Sequence, residues 1–219
     1  MSKEDKKLFG DFLFWLQFAM AWVFTVPQVI RSFYSTKGMT ITWSMFCALF
    51  VLVNLFLALG AYRDSRSRKA GQVVFVYANW LLLWSVMFVV ASLKGVWTTT
   101  DSLLSIIIVI GVAILLLARK RESLFATITE PITRGIVSLI VKSVPQLYIG
   151  YCIVRDGNNS GLVGTTLLIG HVTVLIRIFE ICLAARQDGW SRKNQGLFIS
   201  EAGNESTWLV TTVIWLAYW

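Results

Sequence analysis

The chain has 219 residues, of which 56% are hydrophobic and only 15% charged, with ten tryptophans, one histidine and a formal net charge of +8. An apolar excess of this size excludes a soluble globular domain and a disordered chain. It leaves an integral membrane protein with several crossings, since each needs about 20 residues for a hydrocarbon core about 30 Å thick.

The first ten residues read as a short polar N-terminus carrying Lys3, Lys6 and Lys7. The first apolar run, Asp11 to Ile30, holds Trp15, Gln17 and Trp22 and closes on Val26-Pro27-Gln28 rather than on a small-residue cleavage site. It is expected to stay as a helix rather than to be removed as a secretory signal. The second run is Ile41 to Tyr62, with Asn54 inside it, and the third is Gln72 to Leu93, with Asn79, Trp80 and Trp84. A short fourth run, Ser102 to Ala118, is expected to be capped by Asp101 and Ser102 and to close on Arg119-Lys120-Arg121, cations that suit a helix C-terminus. The fifth, Ile132 to Val154, contains Lys142 and Val144-Pro145-Gln146, and the sixth, Leu162 to Ala185, contains His171, Arg177 and Glu180. The last run, Ser206 to Trp219, is again short. Most of these segments are too long for buried strands and none alternates as a barrel strand would, so seven transmembrane helices are predicted. Trp15, Trp97, Trp190 and Trp219 lie near the run ends and read as interfacial anchors.

Charge sets the expected orientation. The N-terminus and the connections Arg63 to Lys69, Arg119 to Arg134 and Arg186 to Lys193 hold 14 Lys or Arg, against four (Arg31, Lys37, Lys94, Arg155) in the alternate set. The positive-inside rule, which works best on short loops such as these, then places the N-terminus in the cytoplasm and the C-terminus outside, and a bacterial-type plasma membrane is favoured over an organelle membrane. Clusters such as Arg66-Ser67-Arg68-Lys69 lie too close to the bilayer to read as nucleic-acid patches, so no nucleic acid is expected as a partner. Asn158-Asn159-Ser160 and Asn204-Glu205-Ser206 fit the glycosylation pattern and are expected in loops on opposite sides.

Pro-Gln occurs twice. Superposing Val26-Pro27-Gln28 on Val144-Pro145-Gln146 brings Gly38 onto Gly161 and Ala61-Tyr62-Arg63 onto Ala184-Ala185-Arg186, and, with adjustment, Trp80-Leu81 onto Trp208-Leu209. The chain then divides into the N-terminus (1–10), a first three-helix repeat (11–93), a linker helix (94–121) and a second three-helix repeat (122–219). With one helix between them, the triplets share one orientation and form a parallel 3+1+3 repeat. Proline lacks an amide hydrogen and its ring crowds the carbonyl one turn earlier, so Pro27 and Pro145 bend their helices. Gln28 and Gln146 are placed to bond freed groups.

These residues (Pro27-Gln28 followed by Arg31, Lys37-Gly38-Met39-Thr40, and Pro145-Gln146 followed by Gly161) resemble those of the PQ-loop superfamily, which includes the SWEET sugar transporters and the cystine carrier cystinosin. The resemblance spans essentially all seven helices. It implies a small-solute transporter that alternates between inward-open and outward-open states, with the prolines as hinges. Arg177 stands where Asn54 maps, which departs from a sugar-type site.

Ionisable residues within the runs are functional candidates by default, and four are found there: Lys142, His171, Arg177 and Glu180. Lys142 shares a helical stripe with Ser138 and Gln146; it can hold an anionic group of a solute or pair with Glu180 as a strut. Arg177 and Glu180, three apart, are expected to form a structural pair, with Glu180 also a candidate for proton coupling. His171 is either a proton relay or a hydrogen-bonded link between helices. Asn54 and Asn79 are neutral polar candidates for a solute or for helix packing. Asn54, Asn79, Lys142 and Gln146 are thus the expected solute contacts. With two cations against the single carboxylate Glu180, a carboxylate, amino acid or other anionic or zwitterionic solute is favoured over a neutral sugar.

Cys47, Cys152 and Cys182 lie in apolar runs and read as small hydrophobes, and one histidine without a cysteine or carboxylate cluster predicts neither a metal site nor a cofactor. The expected partners are a small-molecule solute and the bilayer. A membrane receptor or interaction protein on the same bundle is the alternative, which a C-terminus ending in a span at Trp219 weakens slightly. A membrane-embedded enzyme acting on lipid comes third. The chain has no phosphate-cradling glycine loop, no zinc-protease motif and no nucleophile set, so it is not expected to be an enzyme.

Overall fold

The computed structural model describes residues 3–94 and 97–219, and those residues form eight helices and no strand. The helices are α1 (Lys3–Tyr34), α2 (Ile41–Ser65), α3 (Arg68–Leu93), α4 (Thr99–Ala118), α5 (Leu124–Thr129), α6 (Pro131–Asp156), α7 (Gly164–Asp188) and α8 (Arg192–Ala217). Six are long and apolar enough to cross a membrane: Asp11–Tyr34 of α1, then α2, α3, α4 and α6, and Gly164–Gln187 of α7. The protein is therefore an all-α, multi-pass membrane protein.

The last helix departs from expectation. It begins at Arg192, well before Ser206, and is 26 residues long, yet it does not rank with the six apolar spans. Its buried face is polar, carrying Asn194, Ser200, Glu201, Asn204, Glu205 and Thr211, so hydropathy reads its first half as a loop. The glycosylation pattern at Asn204 consequently falls inside this helix, where the side chain is buried and bonded.

The cap of α4 also sits earlier than Asp101-Ser102. Thr98 is the N-cap and Asp101 closes a capping box with it. Asp101 is buried and also accepts hydrogen bonds from the hydroxyls of Thr40, the N-cap of α2, and Thr42. One carboxylate thus fixes the starts of two helices.

In the packing, α3 lies between α1 and α2, and α8 lies between α6 and α7; among the described residues the backbone of α1 does not approach that of α2 closely, nor that of α6 that of α7. Between the two groups α1 meets α7 and α2 meets α6, while α4 lies outside against α6 and the edge of α2. Its Ile106, Ile107, Ile110 and Ile114 face outward, as a lipid-contacting surface requires.

The outer two helices of sequence in each group run parallel. Asp11 on α1 meets Arg68 and Gln72 near the start of α3, and Lys94, just after α3, donates to the Phe33 carbonyl. The same direction holds between α6 and α8, whose seam is built from small residues. A Cβ on Gly135 would lie 2.2 Å from the Gly196 oxygen, one on Gly196 would lie 2.1 Å from the Pro131 oxygen, and Ser138 and Ser200 hydrogen bond at 2.6 Å. Without a hydrophobic drive between helices in lipid, this close approach of backbones is what holds them together.

The ends of the bundle differ. At one end, which carries the basic clusters, Glu130 caps α6 through the Thr133 amide and hydroxyl (2.7 and 2.8 Å), with Arg192 at 3.6 Å and Arg119 at 4.0 Å. Burial opposes the charge on Glu130, but these hydrogen bonds and Arg192 outweigh it and hold the carboxyl below the usual range.

At the opposite end the loops that follow α1 and α6 dock on one another. The Gly161 amide donates to the Lys37 carbonyl at 2.9 Å, the Gly38 amide donates to Asp156 at 3.0 Å, and Arg31 donates to the Ser160 carbonyl at 2.5 Å. Gly38 has φ +73°, and a Cβ on Gly161 would meet the Lys37 oxygen at 2.5 Å, so both glycines are required by geometry.

Gly196→Leu should abolish the α6–α8 approach and lower the thermal unfolding midpoint in detergent sharply or prevent folding. Gly111→Leu, where a Cβ meets nothing within 4 Å, should leave the midpoint unchanged. For Glu130, a folded-state pKa below the unfolded value contributes stability that is present above about pH 4 and lost as pH falls further. The difference in melting temperature between the wild type and Glu130→Gln should therefore be clear at pH 7 and close on acidification.

Candidate functional site

A cavity of about 120 Å³ lies where the two helix groups meet, and it is lined from α1, α2, α3, α6, α7 and α8. One side is aromatic. The Phe24 ring is surrounded by Trp43, Trp80, Trp84 and Trp208, with centroids between 5.8 and 6.3 Å from its own, mostly edge to face. Such rings gain from their quadrupoles as well as from burial. Trp43 is 0% exposed, and its indole N–H has no hydrogen-bond partner.

The other side is charged. Glu201 is 6% exposed and lies 3.0 Å from the Lys142 ammonium and 3.7 Å from the Arg177 guanidinium. The Lys142 nitrogen also sits 5.3 Å from the centre of the Phe50 ring, a cation–π contact between α6 and α2. Gln146 and Asn204 complete this side. The Gln146 amide donates to Asn204 Oδ1 at 2.7 Å and accepts from the Thr207 hydroxyl at 2.5 Å. A cavity with two cations, one carboxylate and the carboxamides of Gln17, Gln146 and Asn204 can hold a small polar solute by its charge, with the tryptophans receiving an apolar part.

Of the four expected solute contacts, Lys142 and Gln146 line the cavity and Asn54 and Asn79 do not. Asn54 is buried between α2 and α6, accepting from Arg134 and donating to the Phe50 carbonyl at 2.7 Å. Asn79 accepts from the Trp22 indole at 3.1 Å and joins α3 to α1. Both act as polar links between helices, each accepting a hydrogen bond from a side chain of a neighbouring helix.

The pair expected between Arg177 and Glu180 is replaced by another. Arg177 turns to Glu201 on α8, and Glu180 takes the Gln17 carboxamide of α1 at 3.3 Å. Lys142 likewise pairs with Glu201 and not with Glu180. A carboxylate on the facing helix meets both cations more directly than one on Arg177's own helix. His171 bridges α7 and α8, with Nδ1 2.7 Å from Glu205 and Nε2 2.8 Å from the Thr212 hydroxyl.

Pro27 and Pro145 both lie inside helices. The Gln28 carboxamide donates to the Gly161 carbonyl at 2.6 Å and accepts from the Val163 amide at 3.1 Å, so it clamps α1 to the loop before α7. One residue beyond the carbonyl that Pro27 leaves free, the Phe24 carbonyl accepts from Thr166 at 2.9 Å. No His, Cys, Asp or Glu cluster with metal-binding geometry is found among the described residues.

The last apolar run begins at Ser206, after Glu201 and Asn204, so hydropathy does not bring these two residues to the site. A signal for them exists in the spacing of Ser200, Asn204, Thr207 and Thr211, a polar stripe at helical period. No family model, no curated protein and no solved structure matches the chain.

Lys142→Met should destabilise the protein by about 3–5 kcal/mol, since it leaves Glu201 buried against Arg177 alone. Lys142→Met combined with Glu201→Gln should cost less than the sum of the two single variants, although it leaves Arg177 without its carboxylate. A denaturation series on the single and double variants checks the coupling, and strict additivity would refute the pairing.

Proposed function

We propose that this protein is a seven-helix, PQ-loop-type transporter that moves a small carboxylate or zwitterion through its central cavity by alternating access. The observation that carries the reading is the position of the cavity: α1, α2 and α3 contribute to one side of it and α6, α7 and α8 to the other. In an assembly of two repeats, the seam between them is where a pathway can open and close.

Three further features support it. Both groups place their third helix between the first two, and the contacts between groups pair α1 with α7 and α2 with α6, as two related triplets with α4 as linker would do. Helix α8 serves as the seventh crossing in this reading, since it runs beside α6 from Gly196 against Pro131 to Ile214 against Gly150. Both Pro-Gln helices flank the seam, where a bend at Pro27 or Pro145 changes its width.

The solute preference follows from the lining. Lys142, Arg177 and Glu201 leave one net positive charge, which suits a carboxylate or a zwitterion better than a neutral sugar. By the charge of its loops the basic end faces the cytoplasm of a bacterial-type membrane, and the docked loops of Gly38 and Gly161 face outward.

Proteoliposomes containing the purified protein should take up radiolabelled lactate or alanine faster than glucose. Lys142→Met should reduce that uptake at least tenfold. Absence of net uptake of any of the three, or uptake unaffected by both Lys142→Met and Gln146→Ala, would sink the proposal.

A further inference from the structure

His171 and Glu205 stand apart from the cavity lining yet directly behind it. Gly170 and Asn204, their chain neighbours, line the cavity, and the Trp208 ring, which also lines it, lies 6.4 Å from the imidazole. Both side chains are nearly buried, at 15% and 11% exposure. The second carboxylate oxygen of Glu205 is buried without a hydrogen-bond partner.

We infer that His171 and Glu205 form a proton-binding site in the wall of the cavity. An ionised carboxylate only accepts, so Nδ1, 2.7 Å from Glu205, carries a hydrogen whenever Glu205 is charged. Nε2 faces the Thr212 hydroxyl at 2.8 Å, and a hydroxyl both donates and accepts. With a lone pair on Nε2, Thr212 donates to the ring; with a proton there, the ring donates to Thr212. One proton can therefore bind or leave while every hydrogen bond survives, the only rearrangement being rotation of the Thr212 hydroxyl.

The two states differ in charge. Without the proton the pair carries one net negative charge and leaves a desolvated carboxylate oxygen unmatched, which is costly. With the proton the pair is neutral overall. The other charged groups that bear on it are Arg177 and Glu180, further along α7, Glu201, one turn earlier on α8, and Lys142 on α6, which packs against α8. The packed helix α1 has no charged residue from Phe12 to Ile30, and it offers the Met20 sulfur to Thr173 and the Phe24 carbonyl to Thr166 on either side of His171.

A proton bound here makes the wall of the cavity more positive by one charge, so proton and anion favour one another, and by linkage each raises the affinity for the other. This coupling to a transported anion rests on the transport reading above, whereas the site itself does not. Because His171 is the only histidine in the chain, nitrogen NMR of protein labelled at histidine reports this ring alone, without any solute present. The neutral wild-type ring should carry its hydrogen on Nδ1, and on acidification it should take a second proton on Nε2 while the protein stays folded. Glu205→Gln should remove the fixed Nδ1–H tautomer, since a carboxamide can donate as well as accept, whereas Thr212→Val should leave the hydrogen on Nδ1. A neutral wild-type ring with its hydrogen on Nε2, or a ring that takes no second proton before the protein unfolds in acid, overturns the assignment. If Glu205→Gln does not fold, the wild-type spectra decide alone.

Discussion

A carboxylate in the interior of a membrane protein has to be matched where it sits, and Glu201 is matched from two helices at once. Lys142 reaches it from α6 and Arg177 from α7, so a single charge on α8 fixes the relative depth of three helices. The polar side of the cavity follows from that constraint. Because the two cations converge on one carboxylate, the lining keeps one net positive charge. The Phe50 ring beneath Lys142 then extends the same interaction into α2 on the other side of the seam.

The two Pro-Gln dipeptides have taken on different tasks around this centre. Gln28 spends its carboxamide on backbone groups of Gly161 and Val163, and so links α1 to the loop between α6 and α7. Gln146 bonds Asn204 and Thr207 of α8, inside its own group of helices. The first is a clamp across the seam and the second is part of the cavity lining. Their surroundings agree with this division: Phe24, three residues before Pro27, sits among tryptophans, whereas Lys142, three residues before Pro145, carries the charge.

Most of the helical framework is legible in the sequence, because long apolar runs between basic clusters leave few alternatives in lipid. The first six runs correspond to α1, α2, α3, α4, α6 and α7, with ends displaced where polar residues continue a helix past its apolar stretch. Helix α8 was only half legible. Hydropathy weighs each residue alone, while Glu201, Asn204 and Glu205 are tolerated by partners on α6 and α7 that lie far away in sequence. The same blindness to partners explains Asn54 and Asn79. An asparagine in an apolar run signals that something is bonded, and Arg134 and Trp22 supply the bonds from other helices.

The seam between the helix groups is not uniform along its length. At the loop end it is held by backbone amides and carbonyls brought close by Gly38 and Gly161, and separating them would leave main-chain groups unpaired. Toward the basic end the contacts are made by long side chains: Gln17 with Glu180, Asn54 with Arg134, and Lys142 over Phe50. Such side chains can change rotamer and take water as a partner without moving the backbone. In the transport reading, the basic end is therefore the one that parts at the lower cost. The docked loops then act as the pivot, and the first Pro-Gln, which ties α1 to that pivot through Gln28, is where the bending of α1 has to be absorbed.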